Sequence, residues 1–367
     1  MSVFLPIWQA LWLVRFCRYL FYVLYQGVDK LGFVVAVATF ISYGFRVLFG
    51  VLSDRLQIVK PFVVAGYFIS AVTKPLLALS NSWQSVAALR GLERMGKAVR
   101  SAPKDSLISE YSGGKSGKSF GFHKMMDVAG EMSGALIAFG VLYFLGKNEA
   151  IFRELFAWTL LPGLISVIIA AFFVKDAPYK AKRKEKFQLQ EDKKLLPVLF
   201  VYFAFTFFIF NDSFFIIKAK TSGIDTVYIP LFMVLYNFIQ TASSYFFGMQ
   251  IDSFSAKTVL LFAFLIGILA MASLLFNDAI ISFILLALYT VASLNAIRAF
   301  ISNKAKNKAT VYGVLYGGVA AFSALGATVT GIIWQTFNQR TAIEFSLIGL
   351  IVIFVIFPVI TRKKHFI

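Results

Sequence analysis

The sequence predicts an all-α integral membrane protein with twelve transmembrane helices, arranged as two six-helix bundles. Hydrophobic residues make up 59% of the 367 and charged residues only 15%. A soluble domain could not cover that balance with polar surface, whereas lipid tolerates it. Three residues recur in type at one shared offset of 198 residues, which indicates a duplicated membrane unit. These residues and their counterparts are Gly50 and Gly248, Asp54 and Asp252, and Arg100 and Arg298.

Twelve apolar runs approach the length of about twenty residues that a helix needs to cross the hydrocarbon. The runs occupy 3–25, 31–52, 61–80, 83–99, 119–144 and 151–174, and then 195–217, 226–248, 258–276, 279–300, 310–334 and 343–360. A basic stretch at 175–194 is interpreted as a cytoplasmic linker between bundles 1–174 and 195–367. Basic residues cluster in alternate loops, so both termini are predicted to be cytoplasmic.

The composition also excludes several functional classes. The net charge of +18 follows the loop pattern of a membrane protein, so it does not predict nucleic-acid binding. The single cysteine, Cys17, excludes an internal disulfide, and the two histidines, His123 and His365, argue against a metal or histidine-based catalytic site. We therefore predict no catalytic residues, no metal and no cofactor.

The loop after the second run carries a recognisable motif. Residues 50–60 read GVLSDRLQIVK, which resembles the loop signature G-x-L-a-D-r-x-G-r-k of the major facilitator superfamily. Glycine allows two helices to approach closely, and the aspartate can accept hydrogen bonds from a helix N-terminus or a basic residue. Such a latch could hold one conformation of the two halves. An ordinary interfacial pair of Asp54 and Arg55 is the alternative.

The fourth run carries a second motif. Residues 90–98 read RGLERMGKA, which resembles the superfamily motif R-x-x-q-G-x-g-a, and residues 90–108 are similar to a bacterial branch of that superfamily. The resemblance implies a twelve-helix transporter fold without naming a substrate. Residues 130–134, GEMSG, lack the proline of the drug–proton antiporter signature, which argues against multidrug efflux.

Charged side chains inside the bilayer carry the remaining information, because each costs several kcal/mol unless it is paired or faces water. Most of them fall in the first half: Arg15, Arg18, Arg46, Lys74, Arg90, Glu93, Arg94, Lys97, Asp127 and Glu131, against Asp212 in the second. An acidic face of the fifth span opposite a basic face of the fourth suits a gating or proton-relay network. A static ion-pair network remains the alternative, as does a helix-end role for Asp212.

We therefore expect a secondary active transporter that moves a small solute across the bacterial inner membrane by alternating access, coupled to the proton gradient and with efflux as one direction. The predicted substrate or coupling residues are Arg15, Arg18, Lys74, Arg90, Glu93, Arg94, Asp127, Glu131 and Asp212. The predicted gating residues are Gly50, Asp54, Arg55, Arg100, Gly248, Asp252 and Arg298, with Asp54 paired to Arg100 and Asp252 to Arg298.

The expected partners are a small-molecule substrate and membrane lipids, with no nucleic acid, and the protein is expected to be a monomer. The excess of basic over acidic side chains favours an anionic or hydrogen-bonding substrate. Spans one, four and seven are expected to line the cavity. A lipid-modifying membrane enzyme and a non-transporting solute sensor or scaffold are the alternatives.

Overall fold

The computed structural model describes residues 28–145, 149–176, 189–210, 214–215, 229–276 and 278–361. The predicted first span, with Arg15 and Arg18, lies outside the described residues, and so does Asp212. Within the described ranges the chain is helical and contains no β-strand. The predicted all-α class is therefore confirmed for this part of the chain.

The helices of the first sequence half are α1 Val28–Leu56, α2 Lys60–Leu76, α3 Trp83–Tyr111, α4 Ser116–Leu145, α5 Glu149–Trp158 and α6 Leu160–Ile168. Those of the second half are α7 Leu189–Asp192, α8 Leu196–Phe208, α9 Ile229–Phe254, α10 Ala256–Ser273, α11 Ala279–Lys304, α12 Lys308–Thr336 and α13 Gln339–Thr361. The last turn of α6 continues as a π-helical segment, Ile169–Phe173.

Six helical segments in the described part of the chain are long and apolar enough to cross a membrane. They are Lys60–Leu79, Arg153–Phe173, Ala256–Phe276, Ile280–Lys304, Lys308–Thr336 and Gln339–Thr361. Large apolar side chains also face outward, as lipid allows: Phe144, Phe172 and Phe276 are each 81% exposed. These helices make the chain a multi-pass membrane protein, while the full set of twelve spans stays a prediction.

The chain forms two compact units. The first comprises Met1–Tyr111, Met126–Phe187 and Asn307–Val314, and the second comprises Ser112–Met125, Gln188–Lys306 and Leu315–Ile367. Each unit therefore contains the first residues of a helix from the other sequence half: α12 begins in the first unit and α4 in the second.

In the first unit, α2 and α3 pack through small residues. A Cβ on Gly66 would lie 2.6 Å from the carbonyl oxygen of Gly96, so the two backbones touch. Beside this crossing lies an apolar cluster that includes Val63, Tyr67 and Leu107. The glycine of the predicted fourth-span motif is thus a packing residue, and it places the charged residues of α3 against α2.

In the second unit, the core is aromatic. The rings of Phe205 and Phe264 stack at a centroid distance of 4.0 Å, and Tyr289 lies 5.5 Å from Phe205. Helix α11 begins at an N-cap, where Oδ1 of Asp278 accepts a hydrogen bond from the backbone N–H of Ile281 at 3.0 Å. This packing fixes α8, α10 and α11 as a rigid support for the polar residues described below.

Candidate functional site

Asp54, at the end of α1, holds the beginning of α12. Its Oδ2 atom accepts hydrogen bonds from the backbone N–H of Thr310 at 2.6 Å and from the Thr310 hydroxyl at 2.7 Å. The first N–H groups of a helix lack intrahelical acceptors, and the helix dipole favours a negative charge there. Asp54 therefore acts as an N-terminal cap supplied by another helix, and both residues belong to the first unit.

Glycines make this cap sterically possible. A Cβ on Gly50 would collide with the backbone carbonyl of Ala309, and a Cβ on Gly313 would lie 2.9 Å from the carbonyl oxygen of Arg46. The start of α12 is also tied to α3, because the Lys308 ammonium pairs with the Glu110 carboxylate at 2.7 Å. The glycine of the loop motif thus sets the distance at which the aspartate reaches the helix end.

Asp252, at the end of α9, performs the same task on α4. Its two oxygens accept hydrogen bonds from the backbone N–H groups of Gly117 and Lys118, each at 2.8 Å. A Cβ on Gly248 would lie 2.5 Å from the carbonyl oxygen of Gly117, and one on Gly121 would lie 2.7 Å from that of Ser244. All of these residues belong to the second unit. The repeat detected in the sequence therefore corresponds to two equivalent caps.

The two arginines of the repeat do not bind the aspartates that were predicted as their partners. Arg100 donates to the carbonyl of Gly66 at 3.2 Å and to the Ser70 hydroxyl at 2.7 Å, and its guanidinium lies over the ring of Tyr67 at 4.7 Å. The structure thus corrects the expected pairing of Asp54 with Arg100. The physical reason is that the aspartate accepts hydrogen bonds from the backbone N–H and the hydroxyl of Thr310, while Arg100 satisfies acceptors of α2 in the α2–α3 crossing.

The same correction applies in the second unit. The guanidinium of Arg298 donates to the hydroxyl of Tyr316, through Nε at 2.7 Å and also through Nη2, and it lies 5.8 Å from the ring centroid of Phe120. Asp252 is meanwhile directed at the start of α4. Arg298 thus joins α11, α12 and the beginning of α4 without being the partner that we predicted for Asp252. Arg55, the other predicted gating arginine, is exposed one residue beyond Asp54.

The deep charges of α3 form a compact ion network. Arg90 and Glu93 are 5% and 2% exposed and form a salt bridge through Nη1 and Oε2. Nε of Arg94 lies 3.9 Å from the same carboxylate oxygen. Lys74 of α2 is also buried, and its charge interacts with those of Glu93 and Arg90. The predicted residues Lys74, Arg90, Glu93 and Arg94 are therefore brought together in the first unit.

The acidic residues of α4 lie near the basic residues of α3. Glu131 is an electrostatic neighbour of Lys97, and Asp127 is one of Arg100. Asp127 and Glu131 are both half-buried and belong to the first unit. The expected juxtaposition of an acidic and a basic helix face is therefore present.

The sequence reasoning overlooked a buried polar set without charge in the second unit. Asn237 and Gln240 of α9 and Asn295 of α11 are 7%, 3% and 0% exposed. They were missed because the search inside the apolar runs considered only charged residues. Two of them could have been found from the repeat, since Gln240 and Asn295 stand 198 residues after Ser42 and Lys97.

The arrangement combines two caps with a charged interior in one unit and a neutral polar interior in the other. Such groups can hold a polar solute and can transfer protons, but no catalytic triad is evident among the described residues. Within the same residues no group of His, Cys, Asp and Glu could hold a metal ion.

Comparisons with known proteins agree on one family. The model of the Major Facilitator Superfamily matches residues 7–276. An uncharacterised MFS-type transporter of Methanocaldococcus jannaschii is 30% identical over 340 residues, which cover 89% of this chain and 84% of the relative. An uncharacterised protein of Mycobacterium tuberculosis is 35% identical over 133 residues, or 35% of this chain and 32% of that protein.

A solved structure shows the same fold. The structure of the human organic anion transporter MFSD10 (TETRAN) matches with a TM-score of 0.75, at 13% sequence identity, and the match covers 97% of this chain and 98% of that one. At this identity the likeness concerns the fold alone.

Proposed function

Because the chain belongs to the major facilitator superfamily of membrane transporters, we propose that it moves a small, predominantly anionic solute by alternating access, driven by the proton gradient. Family membership makes the protein a transporter that binds small molecules rather than a lipid-modifying enzyme. We propose this mechanism, coupling ion and substrate class together, with efflux as one direction of transport.

The pair of reciprocal caps is the observation that carries the proposal. Asp54 ends a helix of the first sequence half and holds the start of α12, whereas Asp252 ends a helix of the second half and holds the start of α4. A capping side chain stabilises a helix start by about 0.5–2 kcal/mol. Two caps together are comparable with the few kcal/mol that separate exchanging conformations of a protein. Breaking and re-forming them is therefore a suitable switch for alternating access.

The anionic preference rests on the interior charges of the first unit. Among its described residues the buried or half-buried basic side chains outnumber the acidic ones: Arg46, Lys60, Lys74, Arg90, Arg94, Lys97, Arg100, Lys104, Arg153 and Lys308, against Asp54, Glu93, Asp105, Asp127 and Glu131. A buried cation is costly unless it is compensated, so an arriving anion would be favoured. The human structural neighbour, at 13% identity, is described as an organic anion transporter, and the charges of this chain favour the same class of solute.

Proton coupling is assigned to the acidic face of α4. Glu93 is already bound by Arg90, so its carboxylate is held in the ion network. Asp127 and Glu131 are half-buried and neighbour basic side chains of α3, and can therefore exchange a proton when that neighbourhood changes. We further propose a monomer in the bacterial inner membrane with both termini in the cytoplasm.

The experiment begins with a thermal-shift screen of purified protein against metabolite anions, cations and neutral solutes. Solutes that raise the melting temperature are then tested for flux in proteoliposomes, with and without an imposed pH gradient. The proposal expects anions among the stabilising solutes and flux that follows the gradient. If a solute stabilises the protein but no flux is measured under either condition, the transport proposal is wrong and the sensor or scaffold alternative replaces it. If flux is the same with and without the pH gradient, proton coupling is rejected.

A further inference from the structure

Helix α9 presents an uncharged polar face to α11. At about 100° per residue, four polar residues fall within an arc of about 100°: Tyr236, Asn237, Gln240 and Ser244. The Tyr236 hydroxyl donates to the Thr290 hydroxyl at 3.0 Å, and Nδ2 of Asn295 donates to the Ser244 hydroxyl at 3.1 Å. Because Tyr236 and Ser244 both contact α11, Gln240, whose direction lies midway between theirs, is also directed toward that helix.

The amides of this face lack partners within the described part of the chain. Asn237 and Gln240 are 7% and 3% exposed, and their side-chain amides make no hydrogen bond there. Asn295 is fully buried, and its Oδ1 atom accepts no hydrogen bond from the described residues. A buried polar group without a partner costs about 1–3 kcal/mol, and folded proteins contain few of them. The orphaned Oδ1 of Asn295, together with two amides on the neighbouring helix that make no hydrogen bond, indicates that their partner is a ligand.

The depth of these residues agrees with such a role. Gln240 lies twelve residues before the capping Asp252, which at about 1.5 Å per residue is about 18 Å along α9. The hydrocarbon core is about 30 Å thick, so Gln240 lies near its middle if Asp252 stands at its edge. Transporters built from repeats bind their substrates near the midplane.

We propose that Asn237, Gln240 and Asn295 form a neutral hydrogen-bonding subsite for hydroxyl groups of the transported solute. The proposal rests on the proposed transport function. The orphaned Oδ1 of Asn295 requires a donor, and each carboxamide of Asn237 and Gln240 offers both donors and an acceptor, which matches the dual character of a hydroxyl. An ammonium group fits poorly, because no carboxylate belongs to this face and the desolvated cation would stay uncompensated.

The test uses two carboxylates of equal carbon chain length, gluconate and hexanoate, which differ in their hydroxyl groups. Dissociation constants are measured by calorimetry on the purified full-length protein in nanodiscs, for the wild type, Gln240→Leu and Asn237→Leu. Gln250→Leu is the matched control, since it makes the same change on α9 outside the arc. Each lost hydrogen bond should weaken gluconate binding about threefold to tenfold, while Gln250→Leu leaves it unchanged.

The stability of the ligand-free variants gives a second readout. Removing an unpartnered amide should leave the melting temperature of Gln240→Leu equal to or above that of the wild type, whereas a structural amide would lower it. Binding of hexanoate as tight as that of gluconate, or gluconate binding that survives both leucine substitutions, overturns the subsite while leaving an anion transporter intact. Failure of both carboxylates to bind the wild type overturns the subsite and also counts against the proposed anionic substrate.

Discussion

Neutralising the two capping aspartates should have unequal effects, although both occupy equivalent positions of the repeat. Asp54 uses a single oxygen, Oδ2, for both of its bonds to Thr310. The carbonyl oxygen of an asparagine could therefore keep both contacts with Thr310, and at that residue Asp54→Asn would lose chiefly the interaction of the charge with the helix dipole. That loss is about 1 kcal/mol.

Asp252 instead uses one oxygen for Gly117 and the other for Lys118. In Asp252→Asn the amide nitrogen must replace one of those oxygens, so a donor faces a donor. The variant loses the charge and one charge-assisted hydrogen bond, and the cap weakens by about 2–3 kcal/mol.

Hydrogen exchange, measured by mass spectrometry in nanodiscs, reports these losses as faster exchange of the backbone amides at each helix start. The first N–H groups of a helix have no intrahelical acceptor, so the protection of Gly117 and Lys118 depends on Asp252. Since 1.4 kcal/mol corresponds to about a factor of ten, exchange at the start of α4 should accelerate about 30-fold or more in Asp252→Asn. Exchange at the start of α12 should accelerate only about fivefold in Asp54→Asn.

Asp278→Asn is the control. Asp278 caps its own helix, α11, through Ile281, and it takes no part in the caps that Asp54 and Asp252 supply to other helices. Its effect should be confined to the start of α11. Equal acceleration in the two cap variants, or a larger one in Asp54→Asn, would refute the argument from oxygen usage.

Three further predictions concern the packing and the charges. Gly248→Ala should lower the melting temperature, because its Cβ would meet the carbonyl oxygen of Gly117 at 2.5 Å, whereas Gly44→Ala, with nothing within 4 Å, should not. Glu93→Gln should destabilise the protein by about 3–5 kcal/mol in thermal unfolding, since Arg90 is left buried without its carboxylate; the double variant Arg90→Met with Glu93→Leu should recover most of that loss. Asp127→Asn and Glu131→Gln should each remove the stimulation of flux by a pH gradient in proteoliposomes while substrate binding persists; unchanged stimulation in both would exclude the α4 face from coupling.

The helix class and the acceptor role of the repeat aspartates followed from the sequence, because both depend on local chemistry. A run of apolar residues must be helical in lipid, since its backbone groups have no water to bind. A glycine four residues before an aspartate at a helix end also has few physical uses in a membrane protein. The sequence therefore identified Asp54 as an acceptor, either for a helix N-terminus or for a basic residue, without showing which helix it would meet.

The identity of the partners did not follow. Asp54 binds Thr310, 256 residues further along the chain, so the pair exists only once the helices are assembled. Pairing Asp54 with Arg100 was a reasonable guess from charge, but it neglected the backbone N–H groups of a helix start, which compete for the same carboxylate. The amides of α9 and α11 were overlooked for a related reason, since their significance depends on burial and missing partners rather than on residue type.

The contrast between the caps and the interior explains which positions hold the same residue type in both repeats and which do not. At the caps, a backbone N–H needs an acceptor and a close crossing needs a glycine, whatever solute is carried, and both repeats have Gly and Asp there. In the interior, Ser42, Arg46 and Lys97 of the first unit correspond to Gln240, Ser244 and Asn295 of the second at the same offset of 198 residues.

Arg46 donates to Ser42 at 3.2 Å, and Asn295 donates to Ser244 at 3.1 Å. Both repeats thus place polar contacts at these depths, but the first carries them with cations and the second with neutral groups. Backbone geometry does not impose that difference, so we attribute it to the solute proposed above. Cations suit an anionic group, and neutral amides suit hydroxyl groups.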